Sequence, residues 1–189
     1  MRLIAALFAF ALAGTADAAE IGEDGLYKPD WLALSFRDVA EDLETANDEG
    51  KRLALIFEQR GCIYCKKLHE EVLSRPEVAE YIEENFVVVQ YNLYGDADVT
   101  DLDGEELTEK EAARKWNVVF TPTIFFLDDA PEEGADVKAA TIQTLPGAFG
   151  KGTTMDMFRF IRDRVYETDE PFQRYHARMI EQRTDGSTD

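Results

Sequence analysis

Residues 57 to 69 read Phe-Glu-Gln-Arg-Gly-Cys-Ile-Tyr-Cys-Lys-Lys-Leu-His, and they contain both cysteines of the 189-residue chain. An unbroken apolar run over residues 53–57 leads into them, and an amphipathic run over residues 65–72 leads out. An apolar run without alternation is typical of a strand buried on both faces, whereas apolar side chains three or four residues apart indicate a helix. The sequence therefore predicts a strand, a turn that carries two thiols, and a helix.

Outward from this stretch, apolar runs predict further strands, and amphipathic segments predict helices. The predicted strands cover residues 53–57, 86–91, 124–127 and 140–144. A helix between the first two strands implies parallel pairing, and the last two strands are expected to form an antiparallel hairpin. With an N-terminal helix over residues 35–47, capped by Ser35, and a short C-terminal helix, the prediction is an α/β fold whose central mixed sheet is flanked by helices. Residues 95–106, which hold six acidic side chains, are predicted to form an exposed loop.

The N-terminus has the pattern of a secretory signal peptide. Arg2 precedes an apolar run over residues 3–13, and Ala16-Asp17-Ala18 is a small-x-small cleavage site. The apolar run is shorter than the roughly 20 residues that a transmembrane helix needs. We therefore expect residues 1–18 to be removed and the mature chain to be exported and soluble, in the periplasm if the source is a Gram-negative bacterium.

The mature chain is predicted to form one domain. We expect an irregular lead-in over residues 19–34, the domain itself over residues 35–183, and a frayed C-terminus over residues 184–189. The chain has 39 acidic and 20 basic residues, and its net charge is -19. Such a surface repels phosphates, so nucleic acid is not an expected partner. We expect a monomer.

A Cys-x-x-Cys pair at the start of a helix has a specific chemistry. Cys62 would lie near the helix N-terminus, where free backbone N–H groups favour a thiolate. Cys65 would lie one helical turn further on, close enough to attack a mixed disulfide at Cys62. A Cys62–Cys65 bridge closes a very short loop, so it removes little entropy from the unfolded chain. We therefore predict a redox-active disulfide in which Cys62 attacks the substrate and Cys65 releases it.

Other uses of the two thiols fit less well. Haem attachment needs histidine directly after the second cysteine, where the chain has Lys66. A zinc site needs about four ligands, and only His69 lies near the cysteines in sequence; we predict no metal and no cofactor. His69 is either a partly exposed helix residue or a proton-handling group near Cys65. Glu58 is either an ordinary carboxylate at the end of a strand or the acceptor of the Cys65 proton.

Thr121 and Pro122 form the second predicted part of the site. A proline directly before a central strand is unusual, because proline cannot donate to the hydrogen-bond ladder. A cis bond between Thr121 and Pro122 would turn the chain sharply and expose the backbone of Thr121. That backbone would then pair with an extended substrate segment, strand to strand. The cis bond is a hypothesis here, since most bonds before proline are trans.

The chain resembles the thioredoxin superfamily over residues 35–165, on Cys62-Ile63-Tyr64-Cys65 between a strand and a helix and on Thr121-Pro122 before a strand. The resemblance implies a thioredoxin fold, a cis Pro122, and backbone bonds from Thr121 to substrate. Common thioredoxins have Gly-Pro between the cysteines and a buried Asp where this chain has Ile56. Ile63, Tyr64 and Glu58 are therefore expected to tune the redox behaviour.

Within the superfamily, the chain is similar to the periplasmic thioredoxins of the sulfur-oxidation system (SoxW-like), in residues 57–69, 75–78, 108–111 and 120–123. That resemblance implies a reductase of disulfides in exported proteins. Its electrons would come from a membrane thiol transporter of the CcdA type, and its target would be a cysteine-bearing sulfur-carrier protein. The alternatives are a periplasmic disulfide isomerase, a reductase for cytochrome c maturation, and a non-catalytic binding module with a structural disulfide.

Overall fold

The apolar run before the cysteines forms an inner strand of a four-stranded sheet. The computed structural model describes residues 19–185, so the predicted signal peptide over residues 1–18 lies outside the described residues. The strands are β1 (Glu20–Ile21), β2 (Tyr27–Lys28), β3 (Arg52–Glu58), β4 (Phe86–Asn92), β5 (Asp98–Thr100), β6 (Glu106–Thr108), β7 (Thr123–Leu127) and β8 (Thr141–Pro146). The α-helices are α1 (Val39–Asp48), α2 (Ile63–Leu68), α3 (Pro76–Asn85), α4 (Glu109–Lys115), α5 (Val137–Ala140), α6 (Lys151–Arg162) and α7 (Phe172–Asp185). A π-helical turn over His69–Leu73 directly continues α2, and a 3₁₀ turn covers Val165–Glu167.

The central sheet is mixed and has the strand order β4-β3-β7-β8. β3 runs parallel to β4 and antiparallel to β7, and β8 pairs antiparallel with β7. The predicted parallel pair and the predicted antiparallel hairpin are thus confirmed. These directions bring the C-terminal ends of β3 and β4 and the N-terminal end of β7 to one edge of the sheet. The two cysteines follow β3 at that edge.

Alternate side chains of β3 pack on opposite faces of the sheet, as the pleat of a strand requires. Ala54 and Ile56 belong to an apolar cluster with residues of α2, α3 and α6. Leu55 and Phe57 belong to a second cluster with residues of α1 and α4. The sheet is therefore covered by helices on both faces, as predicted. Glu58 continues the series of Ala54 and Ile56, which directs its side chain towards the face that α2 covers.

Helix α1 begins at Val39, later than the predicted start at Ser35. Its N-cap is Asp38, whose carboxylate accepts hydrogen bonds from the backbone N–H groups of Ala40 and Glu41 at 3.0 and 3.1 Å. Arg37 has a φ of 62°, which lies outside the right-handed helical region and prevents an earlier start. The hydroxyl of Ser35 donates to Asp42 instead of capping a helix.

The lead-in over residues 19–34, predicted to be irregular, contains a short hairpin of β1 and β2. Gly25 lies at its turn with a φ of 79°, a conformation that side chains other than glycine rarely adopt. Leu32 then forms a parallel bridge with Val88, along the outer edge of β4. Each hairpin strand has two residues, which is too short for an alternating pattern to reveal it in the sequence.

The acidic segment over residues 95–106 was expected to be a plain exposed loop, but β5 and β6 pair across it. Asp101 is buried, and its carboxylate accepts hydrogen bonds from the indole of Trp116 at 2.8 Å and the backbone N–H of Val137 at 2.9 Å. The ammonium of Lys115 lies 2.7 Å from the same carboxylate. These partners belong to or adjoin α4 and α5, so the segment alone does not reveal them.

Helix α7 runs to Asp185, and residues 186–189 of the predicted frayed C-terminus lie outside the described residues. It is fastened to α6 through Asp156, a fully buried carboxylate that accepts hydrogen bonds from the guanidinium of Arg183 at 2.7 and 2.8 Å. The Nδ1 atom of His176 lies 2.6 Å from the same carboxylate. Among the described residues, no helix combines the length and the apolar character that crossing a bilayer requires.

Candidate active site

Cys62 is the N-cap residue of α2. The backbone N–H of Cys65 points at its sulfur, with 2.9 Å between the nitrogen and Cys62 Sγ. Gly61 has a φ of 72° and turns the chain from the end of β3 into this position. A hydrogen bond from a backbone N–H stabilises a thiolate. The local fold therefore favours Cys62 as the nucleophile when the disulfide is reduced.

The two cysteines form a disulfide with a Cα–Cα distance of 5.2 Å. Cys62 is partly exposed, whereas Cys65 is buried, with 1% of its surface exposed. Ile63 and Tyr64, which lie between them, are 72% and 58% exposed. Another molecule can therefore approach Cys62 and the two intervening side chains, but it cannot reach Cys65 directly.

Thr121 and Pro122 lie against Cys62, and the peptide bond between them is cis. The hydroxyl of Thr121 donates to Cys62 Sγ over 3.3 Å, and the carbonyl oxygen of Thr121 lies 3.6 Å from the same sulfur. Pro122 is held in turn by a hydrogen bond of 2.7 Å from the backbone N–H of Gly147 to its carbonyl oxygen. Residues 59 positions apart in sequence thus meet at Cys62 Sγ.

Glu58, the last residue of β3, and His69, directly after α2, form a buried pair. One carboxylate oxygen of Glu58 lies 2.8 Å from His69 Nε2. Glu58 is fully buried and His69 is 3% exposed, so the interpretation of His69 as a partly exposed helix residue was wrong. The ring of Tyr27 covers the imidazole, with 4.6 Å between the ring centres and 15° between the planes. Burial by Tyr27 could not be anticipated, because that residue comes from the unexpected hairpin.

Gln90 is a member of this site that the sequence analysis missed. Its side-chain amide donates to the second carboxylate oxygen of Glu58 at 2.5 Å and to the carbonyl oxygen of Tyr27 at 2.8 Å. Its amide oxygen accepts from the ammonium of Lys28 at 2.6 Å. A signal was present in the sequence, since Gln90 interrupts the apolar run of β4 and buried polar groups have partners.

The β1–β2 hairpin is also fastened to the loop that precedes Cys62. The guanidinium of Arg60 donates to the carbonyl oxygens of Glu23 and Asp24, at 2.7 and 3.2 Å. Although partial burial raises the pKa of Asp24, the hydrogen bond and charge of Lys28 outweigh it and hold that pKa below its usual value. Asp24 is thus a charged partner for Lys28, which in turn binds Gln90. Within residues 19–185, no cluster of three or more histidine, cysteine or acidic side chains is arranged to hold a metal ion.

Exposed apolar side chains surround Cys62. Ile63 and Tyr64 lie on α2, and Val119 and Phe120 precede the cis bond, each more than half exposed. Phe149 follows β8 at the same edge of the sheet and is partly exposed. An apolar rim of this kind around a reactive group is typical of a surface that contacts other proteins.

Comparisons with known proteins agree with this architecture. Residues 39–143 match the family model of the thioredoxin-like domain. A thioredoxin-fold protein from Helicobacter pylori is 25% identical, with a TM-score of 0.54 over 72% of this chain and 86% of that chain. An Arabidopsis thaliana protein, provisionally named thioredoxin H10, is 34% identical over 101 residues. That match spans 53% of this chain and 54% of the relative, so the chain covers about half the length of the curated relative. The predicted fold class is confirmed.

Proposed function

Because the chain belongs to the thioredoxin-like domain family, we propose that it is an exported thiol:disulfide oxidoreductase that reduces protein disulfides through Cys62 and Cys65. The observation that carries the proposal is the unequal burial of the two sulfurs, with Cys62 partly exposed and Cys65 buried. The sulfur of Cys62 is open to exchange with another protein, whereas the sulfur of Cys65 can react only with Cys62. A bridge over so short a loop adds little stability, which disfavours a binding module with a structural disulfide.

The reaction starts at Cys62 of the reduced protein. Its thiolate attacks one sulfur of the substrate disulfide, so a mixed disulfide forms and the other substrate sulfur leaves as a thiolate. Cys65 then loses its proton and attacks Cys62 Sγ. The Cys62–Cys65 bond forms, the mixed disulfide breaks, and the second substrate sulfur leaves as a thiolate. The protein is oxidised, the substrate is reduced, and the substrate thiolates take up protons.

The substrate class is a protein or peptide disulfide in an extended, partly apolar segment. The apolar rim of Ile63, Tyr64, Val119 and Phe120 provides contact area around Cys62. Thr121 lies beside the sulfur, and its backbone is the proposed site of strand-to-strand pairing with substrate. Ile63, Tyr64 and Glu58 are the proposed residues that set the redox potential.

The direction of electron flow and the partners are proposed from the resemblance to the SoxW-like thioredoxins. The electron donor would be a membrane thiol transporter of the CcdA type. The substrates would be disulfide-bearing exported proteins, among them a cysteine-bearing sulfur-carrier protein. Residues 1–18, which have the pattern of a signal peptide, support export to the periplasm, and residues 35–183 would form the mature domain.

Trapping with defined substrates tests the mechanism. The Cys65→Ser variant lacks the releasing thiol, so it should accumulate a mixed disulfide with a peptide disulfide, visible by mass spectrometry and reversed by dithiothreitol. The Cys62→Ser variant should form no adduct and should lose the insulin-reducing activity of the wild type. Retention of that activity by Cys62→Ser would contradict the assigned order of attack.

The redox potential tests the direction. Equilibration of the Cys62–Cys65 couple with a defined thiol buffer should give a value near that of thioredoxin, about −270 mV, if the protein is a reductase. A redox potential of about −120 mV would identify an oxidant instead. Tyr64 before the second cysteine and Thr121 before the proline favour a disulfide isomerase as the second candidate. Refolding of a scrambled disulfide protein, without net reduction, would support that candidate.

A further inference from the structure

We propose that His69 Nδ1 accepts the proton of the Cys65 thiol, and that Glu58 positions the imidazole for this transfer. The inference rests on the proposed function, because Cys65 needs to lose a proton only if it attacks a mixed disulfide. It assigns the proton to His69 rather than directly to Glu58. Three features support this assignment: the hydrogen bonds around Glu58, an unpartnered nitrogen of His69, and the course of the helix.

The hydrogen bonds around Glu58 fix which nitrogen of His69 carries a proton. Lys28 can only donate, so the oxygen of the Gln90 amide faces Lys28 and its NH₂ group donates to Glu58. The other oxygen of Glu58, Oε1, lies 2.8 Å from His69 Nε2 and, as part of a carboxylate, accepts the Nε2–H. In a neutral imidazole with a proton on Nε2, the other nitrogen, Nδ1, is a base.

Nδ1 of His69 is buried and has no hydrogen-bond partner among residues 19–185. A buried polar atom without a partner is rare in folded proteins and calls for an explanation. Here the carboxylate orients the ring and leaves the opposite nitrogen free, which is the arrangement that makes a histidine an effective general base. A histidine that only filled space would gain by satisfying both nitrogens.

The helix places His69 one turn after Cys65. The backbone N–H of His69 bonds to the carbonyl oxygen of Cys65, so the two residues lie one α-helical turn apart on the same face. Side chains four residues apart have Cβ atoms about 5–6 Å apart. A helical side chain also leans towards the N-terminus, over the preceding turn, and here the preceding turn is the one that holds Cys65. Both side chains are buried. The π-helical turn begins at His69, and such turns occur often at functional sites.

Few other charged groups surround the imidazole. Tyr27 stacks on the imidazole and Glu58 binds it. Lys28 does not contact Glu58 directly but binds Gln90, which in turn binds Glu58. Helices α3 and α6 pack against the same helical segment with apolar residues, among them Val78, Ile82 and Met155. The buried carboxylate of α6, Asp156, is bound by His176 and Arg183. On the outer side of the helical segment, Lys66 and Glu70 pair with each other in solvent, and Lys67 and Glu71 are exposed there.

The proposed step is balanced within the protein. The Cys65 S–H bond breaks, and its proton moves to His69 Nδ1, directly or through one water. The Cys65 thiolate attacks Cys62 Sγ, the Cys62–Cys65 bond forms, and the substrate thiolate leaves. The imidazolium that results lies beside the Glu58 carboxylate, so the buried charges compensate each other. When a donor thiolate later attacks Cys62 of the disulfide, Cys65 leaves as a thiolate and takes the proton back from His69.

The two steps can be followed separately with a chromogenic substrate, the disulfide of nitrothiobenzoate, because each thiolate that it releases is coloured. Attack by Cys62 of the reduced protein releases one coloured thiolate, and attack by Cys65 on the mixed disulfide releases the second. The rate constant of the second release is measured by stopped flow from pH 6 to pH 10, in the wild type and in His69→Gln. Glutamine keeps an N–H donor for Glu58 but removes the base. The matched control is His176→Gln, which changes the other histidine–carboxylate pair, at α6 and α7.

In His69→Gln, the second release should slow by about 30-fold at pH 7, because a thiol with the ordinary pKa of about 8.5 is only about 3% ionised there. Its rate should then rise about tenfold per pH unit and approach that of the wild type above the ordinary thiol pKa of about 8.5. The first release and the His176→Gln profile should not change. An equal slowing at every pH would show a structural role only, and an unchanged profile would remove His69 from the reaction; either result overturns the proposal.

A second variant and the result for the wild-type protein complete the test. If His69→Gln does not fold, Glu58→Gln takes its place, because loss of the carboxylate leaves the ring tautomer unfixed and should slow the same step near neutral pH. A Glu58→Gln profile identical to that of the wild type would overturn the positioning role. If the wild-type protein itself releases neither coloured thiolate, the proposed function fails. That result is distinct from a failure of the assignment of His69.

Discussion

Asp42 and Glu58 are both buried carboxylates, and they differ in what surrounds them. Glu58 binds an imidazole and an amide, whereas Asp42 has the hydroxyl of Ser35 at 2.7 Å. Burial raises the pKa of Asp42 to about 6, with the charges of Asp38 and Glu41 adding to the effect and the hydrogen bond from Ser35 opposing it. Asp42 is therefore a site where ionisation disfavours the folded state.

We predict that Asp42→Asn stabilises the protein near neutral pH. In the wild type, the raised pKa favours the folded state fully below about pH 4, the ordinary range of Asp, and this contribution is lost as pH rises through the folded pKa of about 6. Asparagine carries no charge and still accepts the Ser35 hydrogen bond. Urea unfolding should show a gain of about 1–2 kcal/mol at pH 7 and little gain at pH 4. Glu44→Gln, on the exposed side of the same helix, is the control. An equal gain at both pH values would exclude the ionisation of Asp42 as the cause.

The residues that local sequence specifies were predictable, and those that depend on distant packing were not. Cys62 and Cys65 follow from their spacing at a strand–helix turn, and Thr121 and Pro122 follow from a proline before a strand. The burial of His69 depends on Tyr27, which is 42 positions away on an element too short to predict. For the same reason, the periodicity of the helix places His69 and Cys65 on one face but gives no information about what covers that face.

At the scale of elements, the β1–β2 hairpin is the addition that completes the site. It lies outside residues 39–143, which match the family model. Tyr27 covers His69, and its carbonyl oxygen helps to orient the Gln90 amide that binds Glu58. The hairpin thus excludes water from a buried polar pair that the central sheet alone would leave open on one side.

We predict that Tyr27→Ala loosens the hairpin and destabilises the protein by about 1–2 kcal/mol, because the stacked ring pair is lost. Tyr27→Phe keeps the ring and should remain within about 0.5 kcal/mol of the wild type. Urea unfolding gives the free energy, and hydrogen exchange of the amides over residues 20–28 gives the local effect. Equal loss in both variants would assign the effect to the hydroxyl rather than to the stacking.

Element types were easier to predict than element boundaries. The strands with unbroken apolar runs, β3 and β4, were found nearly complete, because burial on both faces leaves a strong pattern. The start of α1 was misplaced, since the positive φ of Arg37 is a backbone property that its side chain does not indicate. The π-helical turn at His69 was likewise not apparent, because an added residue in one turn barely disturbs a helical pattern.

At the scale of the molecule, two segments outside residues 39–143 pack on the part of the chain that matches the family model. The hairpin precedes it, and α6 and α7 follow it. The attachment of α7 depends on Asp156. Burial raises the pKa of this residue, but the hydrogen bonds and charges of Arg183 and His176 outweigh it and hold that pKa below the usual value.

We predict that Asp156→Ala destabilises the protein by about 2 kcal/mol at pH 7, since it removes the charged hydrogen-bond partner of Arg183 and His176. The wild-type contribution is present above the ordinary Asp pKa of about 4 and is lost as pH falls through the lowered pKa, so the two proteins should converge in acid. Hydrogen exchange should localise the change to α7. Asp163→Ala, an exposed carboxylate at the end of α6, is the control; the prediction fails if that variant loses as much stability as Asp156→Ala.

The strand order β4-β3-β7-β8 places the apolar rim and the polar network on opposite sides of β3. Thr121 and the apolar rim lie on the flank of β7, which is where the proposed function requires a partner protein to meet Cys62. Gln90, Lys28 and the hairpin lie on the flank of β4, where Lys28 remains in contact with solvent. A docked protein can therefore cover the sulfur while Lys28, at the outer end of the polar network, stays exposed to solvent. Docking at Cys62 and hydration of Lys28 are thus compatible in this molecule.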